Sequence, residues 1–66
     1  MNRKAIAERL IALRGKRTQQ EVADAIGITQ TAYSQYECGN RIPRDDIKIR
    51  IAEYYKRSVK TIFYAD

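Results

Sequence analysis

Residues 19–38, QQEVADAIGITQTAYSQYEC, constrain this chain more than any other stretch. The fifth residue is Ala23, the ninth is Gly27, and apolar side chains stand at Val22, Ile26, Ile28, Tyr33 and Tyr36. Two short helices that cross at a sharp angle need this arrangement. A small residue lets the second helix approach the first, and a glycine takes the positive φ of the corner. Apolar residues on the inner faces then hold the pair together. The outward positions of the second helix are left free for recognition.

Punctuation divides the whole chain into five helical segments. Ile6, Leu10 and Leu13 recur at helical spacing over residues 3–14, with Ala7 and Ile11 widening the stripe, and Gly15 ends the segment. Thr18 and Glu21, three apart, fit a capping box that opens a second helix over residues 19–26, closed by Gly27. Thr29 is a good N-cap for a third, residues 30–38, which Gly39 and Asn40 close. Pro43 forbids helix through Ile42 and sets up a fourth from about residue 44, whose Asp45 and Asp46 suit the positive end of the helix dipole. Ile47, Ile51 and Tyr55, with Ala52, form its inner stripe. The alternation of Ile47, Ile49 and Ile51 could suggest a strand, but it would have no partner. Ser58 caps a short fifth helix carrying Val59, Ile62 and Phe63, while Ile42 and Ile49 fit no stripe. The expectation is one all-α, five-helix domain spanning residues 1–66.

Composition narrows the function classes. No apolar run approaches the roughly 20 residues that span a bilayer. The opening MNRKAIAERL lacks the apolar core of a secretory leader. The chain has one cysteine and no histidine, so neither an internal disulfide nor a zinc site is expected. No glycine-rich phosphate loop or nucleophile–base set can be assembled, so an enzyme is not expected. The formal charge is +5, and its placement matters more than its sum. Residues 18–40 hold no Lys or Arg, whereas Arg14, Lys16 and Arg17 precede them and Arg41 and Arg44 follow, with Lys48, Arg50, Lys56, Arg57 and Lys60 further on. Basic flanks around an uncharged helix suit phosphate clamping about a hydrogen-bonding centre, although charge alone fits a solvated surface equally well.

The pattern of residues 19–38 is the outline of a DNA-binding helix-turn-helix, whose second helix enters the major groove. With this motif second and third among five helices, the chain resembles the Cro/repressor family of phage and bacterial regulators. The residues that carry the resemblance are Leu13-Arg14, Thr18-Gln19, Glu21-Val22-Ala23, Gly27-Ile28-Thr29-Gln30, Tyr36-Glu37, Gly39, Pro43, Ile51-Ala52 and Ser58-Val59. The resemblance implies a compact all-α, lambda-repressor-like fold and binding to double-stranded operator DNA, usually as a symmetric homodimer. It also implies no catalysis; a cytoplasmic, bacterial or phage-encoded protein without cofactor or small-molecule ligand is the expectation. The turn between the first two helices looks about two residues shorter than is common in that family. Tyr33 stands where a smaller Ile or Val usually packs, so either the core opens for a ring or the hydroxyl emerges at the rim facing the groove. Arg57 takes a position that is often apolar.

Gln30, Thr31, Ser34 and Gln35 lie on the third helix opposite Ala32, Tyr33 and Tyr36, and are the candidates for reading bases. A glutamine amide can donate to N7 and accept from N6 of adenine, a pair no other base offers equally. Within the resemblance, Gln19 matches a position that faces a phosphate, and it can also brace Gln30. Asn40, Arg41 and Arg44 follow the reading helix where the family's loop tracks the backbone, and Lys16 and Arg17 precede it. Arg14 and Glu37 match a family pair that forms a partly buried ion pair. Ile62, Phe63 and Tyr64 are candidates for a dimer seam, though Ile62 and Phe63 could equally complete the monomer core. Cys38 reads as an ordinary helix-end residue, and Tyr36 and Tyr55 as core rather than base-stacking platforms; Tyr54 and Tyr64 are undecided. An alternative from another class is a protein-interaction module of antitoxin type that keeps the same fold.

Overall fold

Among the described residues five helices form, close to where the sequence punctuation places them. The computed structural model describes residues 1–65; Asp66, the last residue of the expected 1–66 domain, lies outside the described residues. Helix α1 is Arg3–Arg14, α2 Gln19–Ile26, α3 Gln30–Glu37 and α4 Asp45–Tyr55, and α5 is a short turn at Lys60–Tyr64 wound with π-helical geometry. Free N–H groups at the helix starts find side-chain oxygens. Asn2 Oδ1 accepts from Ala5 at 3.1 Å, Thr18 Oγ1 from Glu21 at 3.0 Å, Thr29 Oγ1 from Ala32 at 3.1 Å and Ser58 Oγ from Thr61 at 3.0 Å. Each such cap contributes about 1 kcal/mol. Cys38, expected as the last helical residue of α3, is instead its C-cap.

The corner between α2 and α3 uses Gly27 at φ 89°, a left-handed conformation that costs glycine nothing. Its N–H returns to Ala23 O at 2.9 Å, closing α2 before Thr29 opens α3. Helix α1 packs across α3 and touches α5, while α2 packs on both α3 and α4. One contiguous core results, with Leu10, Val22, Ala23, Tyr33, Ile51 and Phe63 fully enclosed. Ala23 sits at the α2–α3 crossing with no exposed surface, as the small residue of the motif requires.

Several sequence expectations change here. Ile11, read as part of the α1 stripe, is 49 % exposed, because α3 and α5 cover only the face carrying Ile6 and Leu10. Ile62 and Phe63 are not a free seam. They are 1 % and 0 % exposed and complete the monomer core, leaving only Tyr64 of that trio at the surface. Lys48, read among the flanking cations, is buried. Its ammonium donates to Tyr64 Oη at 3.0 Å and to Asp45 Oδ1 at 3.3 Å, and lies 5.0 Å from the Tyr64 ring centre. Arg9 ties the other side of α5, donating to Ile62 O at 2.8 Å and to Ala65 O.

Tyr33 turns inward completely. Its ring is enclosed and its hydroxyl meets that of Tyr55 at 2.6 Å, so the core has opened for the larger side chain and satisfied its polar end internally. Tyr54, undecided in the sequence, packs edge-on against Tyr55 with ring centres 5.0 Å apart. Burial above all, then the Tyr55 hydroxyl and the Glu37 carboxylate, hold the Tyr33 phenol far above its ordinary value. Burial likewise raises Tyr55, and the bond to Tyr64 raises Lys48. Groups that keep their protons when folded and release them when unfolded stabilise the fold below their unfolded pKa and cease to as pH rises. Stability is therefore expected to hold up to about pH 10 and to fall above it. Thermal melts between about pH 8 and about pH 11 check this. The double variant Tyr33→Phe, Tyr55→Phe should flatten the fall, leaving the Lys48 share; an unaltered fall would exclude the tyrosines as its source.

Candidate nucleic-acid interface

The outer face of α3 carries Gln30 and Thr31 exposed at its N-terminal end, with Ser34 and Gln35 half-buried one turn later. Thr29 sets this face. By capping the first turn it directs the following residues so that Tyr33, Tyr36 and Glu37 go inward and the glutamines outward.

Beneath that face runs a chain of polar contacts from α1 to Gln30. Arg14, at the end of α1, grips the Glu37 carboxylate with two bonds, Nε to Oε2 at 2.7 Å and Nη2 to Oε1 at 3.1 Å. Its remaining Nη1 donates to Arg17 O at 2.9 Å, closing the short turn between α1 and α2. The bond to Glu37 raises the Arg14 pKa further, so the guanidinium stays charged throughout. Gln19, the first residue of α2, donates Nε2 to Glu37 Oε1 at 3.0 Å. Gln30 donates Nε2 to Gln19 Oε1 at 3.3 Å.

The direction of this chain follows from Glu37. An ionised carboxylate only accepts, so the Gln19 amide must turn its N–H toward Glu37 and its oxygen toward Gln30. Gln30 must then offer Gln19 an N–H. Its carbonyl oxygen and second N–H stay free, side by side on one planar amide. A paired donor and acceptor at a helix end is what an adenine edge complements. The bracing of Gln30 by Gln19 was legible in the sequence. The Gln19–Glu37 bond was not, since residues 18 apart on different helices give no local signal.

The basic flanks are arranged less uniformly. Asn40 and Arg41 both donate their backbone N–H to Gln35 O, at 3.0 and 3.3 Å, so the loop after α3 is fixed to the end of that helix. Gly39 makes this possible with a φ of 76°. The Arg41 and Lys16 side chains are exposed, and among the described residues they make no hydrogen bond or ion pair. Arg44 lies 3.5 Å from Asp46, an exposed pair worth at most about 1 kcal/mol and easily redirected. Arg17 folds back. It donates to Leu13 O at 3.1 Å and stacks 5.4 Å from the Tyr54 ring centre and 5.8 Å from that of Tyr55. Nothing in the sequence pointed to that stack.

Among the described residues no cluster of His, Cys, Asp or Glu could hold a metal ion, and no helix is long and apolar enough to cross a membrane. A family model described as Helix-turn-helix matches residues 6–62. The match begins at Ile6, on the buried face of α1, and ends at Ile62, inside α5, so it covers α2, α3 and α4 whole and reaches into α1 and α5. No curated protein and no solved structure matches the chain.

Proposed function

We propose, since the chain belongs to this helix-turn-helix family of Cro/C1 type, that it is a transcriptional repressor binding a near-palindromic operator as a homodimer. Membership itself implies DNA binding and transcriptional regulation, in a family that is not enzymatic. The observation that carries the finer reading is the Arg14–Glu37–Gln19–Gln30 chain, which leaves a donor and an acceptor of Gln30 free at the start of α3. In this reading α3 lies in the major groove. Gln30 takes an adenine edge, Thr31 a thymine methyl, and Ser34 and Gln35 a further base or a phosphate. Lys16, Arg17, Gln19, Asn40, Arg41 and Arg44 bind the backbone on either side. One short helix covers only a few base pairs, so two copies on half-sites about one helical turn apart supply the remaining discrimination.

Selection of bound sequences from a random duplex pool, followed by competition with Gln30→Ala, tests the reading. The unsubstituted protein should select a two-fold symmetric site and form a complex whose mass contains two chains. Gln30→Ala should lose about 1–3 kcal/mol of preference at one base pair per half-site, a factor of about five to about 150. An unchanged preference would remove Gln30 as a base reader.

A further inference from the structure

We infer that the buried Tyr33–Tyr55 hydroxyl pair is a positioning pair for base reading, fixing how α3 sits against α4 and hence where Gln19 and Gln30 stand at the groove. The inference rests on the reading of Gln30 as a base contact.

Helix α3 packs chiefly on α1 and α2. Among the described residues, the Tyr33–Tyr55 contact is the one side-chain hydrogen bond that joins α3 to α4. Apolar surfaces tolerate a small rotation or slide with little loss, whereas a 2.6 Å hydrogen bond between two enclosed hydroxyls does not. The Tyr55 hydroxyl left alone in that core would be an unsatisfied polar group, and Tyr33 would be left with the Glu37 carboxylate, so breaking the bond carries a cost in any arrangement of the two helices. Two phenylalanines would fill nearly the same space without this demand. The hydroxyls therefore add direction rather than volume.

Tyr33 stands one turn before Glu37 on the inner face of α3, so fixing one fixes the other. Glu37 is the acceptor that orients Gln19, and Gln19 orients Gln30. The Glu37 carboxylate also acts on the Tyr33 phenol, favouring its protonated form, which brings the pair and the polar chain into one electrostatic unit. On the far side Arg17 stacks on Tyr55, so the pair also touches the turn that precedes α2. The path from the core to the groove is Tyr55, Tyr33, Glu37, Gln19, Gln30.

Three variants test this: Tyr33→Phe, Tyr55→Phe and the double substitution. For each, affinity is measured for the selected operator, for the same duplex with the base pair under Gln30 replaced, and for a random duplex. Circular dichroism and thermal melting establish that each variant is folded. Each single variant should lose preference for the operator about tenfold, as expected when one member of a coupled network is removed. Affinity for the random duplex should stay within about twofold, because the phosphate contacts are untouched. The double variant should lose no more preference than either single one. The side-chain amide signals of Gln19 and Gln30 in nuclear magnetic resonance spectra of the free protein should shift in all three.

Unchanged preference in a folded variant overturns the inference. So does an equal fall for operator and random duplex, which would make the pair purely structural. If a single variant does not fold, the double variant, which leaves no orphan hydroxyl, decides the matter by its preference and its amide signals. Gln30→Ala separates this inference from the reading beneath it. If that variant keeps the operator preference, base reading by Gln30 fails and the positioning pair falls with it. If it loses the preference while the tyrosine variants keep it, only the positioning pair is wrong.

Discussion

Arg14→Ala is expected to destabilise the protein more than Glu37→Ala, although both break the same ion pair. Removing one partner of a buried pair costs about 3–5 kcal/mol, because the other charge stays behind without compensation. The cost depends on which charge is stranded. The Glu37 side chain is 3 % exposed and that of Arg14 23 %. Without Glu37 the guanidinium keeps its bond to Arg17 O and can turn toward water. Without Arg14 the carboxylate stays enclosed, with Gln19 as its hydrogen-bond donor. Arg14→Ala therefore belongs near the upper end of that range, about 5 kcal/mol, and Glu37→Ala near about 3 kcal/mol. A chain this short has roughly 3–10 kcal/mol in total, so the arginine variant should be largely unfolded near body temperature. Glu37→Ala should remain folded at room temperature, with its melting point lowered by roughly 10–25 °C. Urea and thermal melts of the two variants check the order. A reversed order, or two losses under about 1 kcal/mol, would mean that the pair behaves as an exposed one.

The helix boundaries were legible because they are written locally. Thr18, Thr29 and Ser58 bond N–H groups three residues away, and Gly27 and Gly39 close helices through bonds a few residues long. Such signals need no knowledge of the tertiary fold. The Ala23 and Gly27 pattern goes one step further, since two helices joined by a tight corner bring their own packing with them. What failed is what depends on distant partners. Ile11 lies within the apolar periodicity of α1, but which side of a stripe is covered is decided by α3 and α5. Ile62 and Phe63 could have served a seam or a core until α1 and the rest of the core were in place around them. Lys48 reads as one more surface cation, and its burial is made tolerable by Tyr64, sixteen residues on, together with the Asp45 carboxylate. The site divides the same way. As members of the polar chain, Gln30 can be read from the motif, and Gln19, Arg14 and Glu37 from the family resemblance. The Tyr33–Tyr55 bond, between residues 22 apart, had no sequence signature beyond the odd size of Tyr33.

Salt should separate the two halves of the interface, and with the largest effect of any measurement proposed. If Lys16, Arg17, Arg41 and Arg44 each neutralise a phosphate in both copies of a dimer, about eight counterions leave the DNA on binding. The logarithm of the association constant should then fall with the logarithm of salt with a slope of about −7, so that raising salt from about 50 to about 200 mM weakens binding by roughly ten-thousandfold. Arg17 makes the prediction sharper. Its guanidinium is engaged with Leu13 O and the Tyr54 and Tyr55 rings. Should that stack persist on DNA, about six contacts remain and the slope is nearer −5. Arg41→Ala, which removes an unengaged cation from each copy, should make the slope shallower by about 2 and weaken operator and random duplex alike. Gln30→Ala should leave the slope unchanged while lowering operator preference, since a neutral amide displaces no counterion. A changed slope for Gln30→Ala, or an unchanged one for Arg41→Ala, would break the division of labour between the uncharged outer face of α3 and the basic flanks. Intact slopes with no selected site would leave a DNA-binding domain that grips the backbone without reading it.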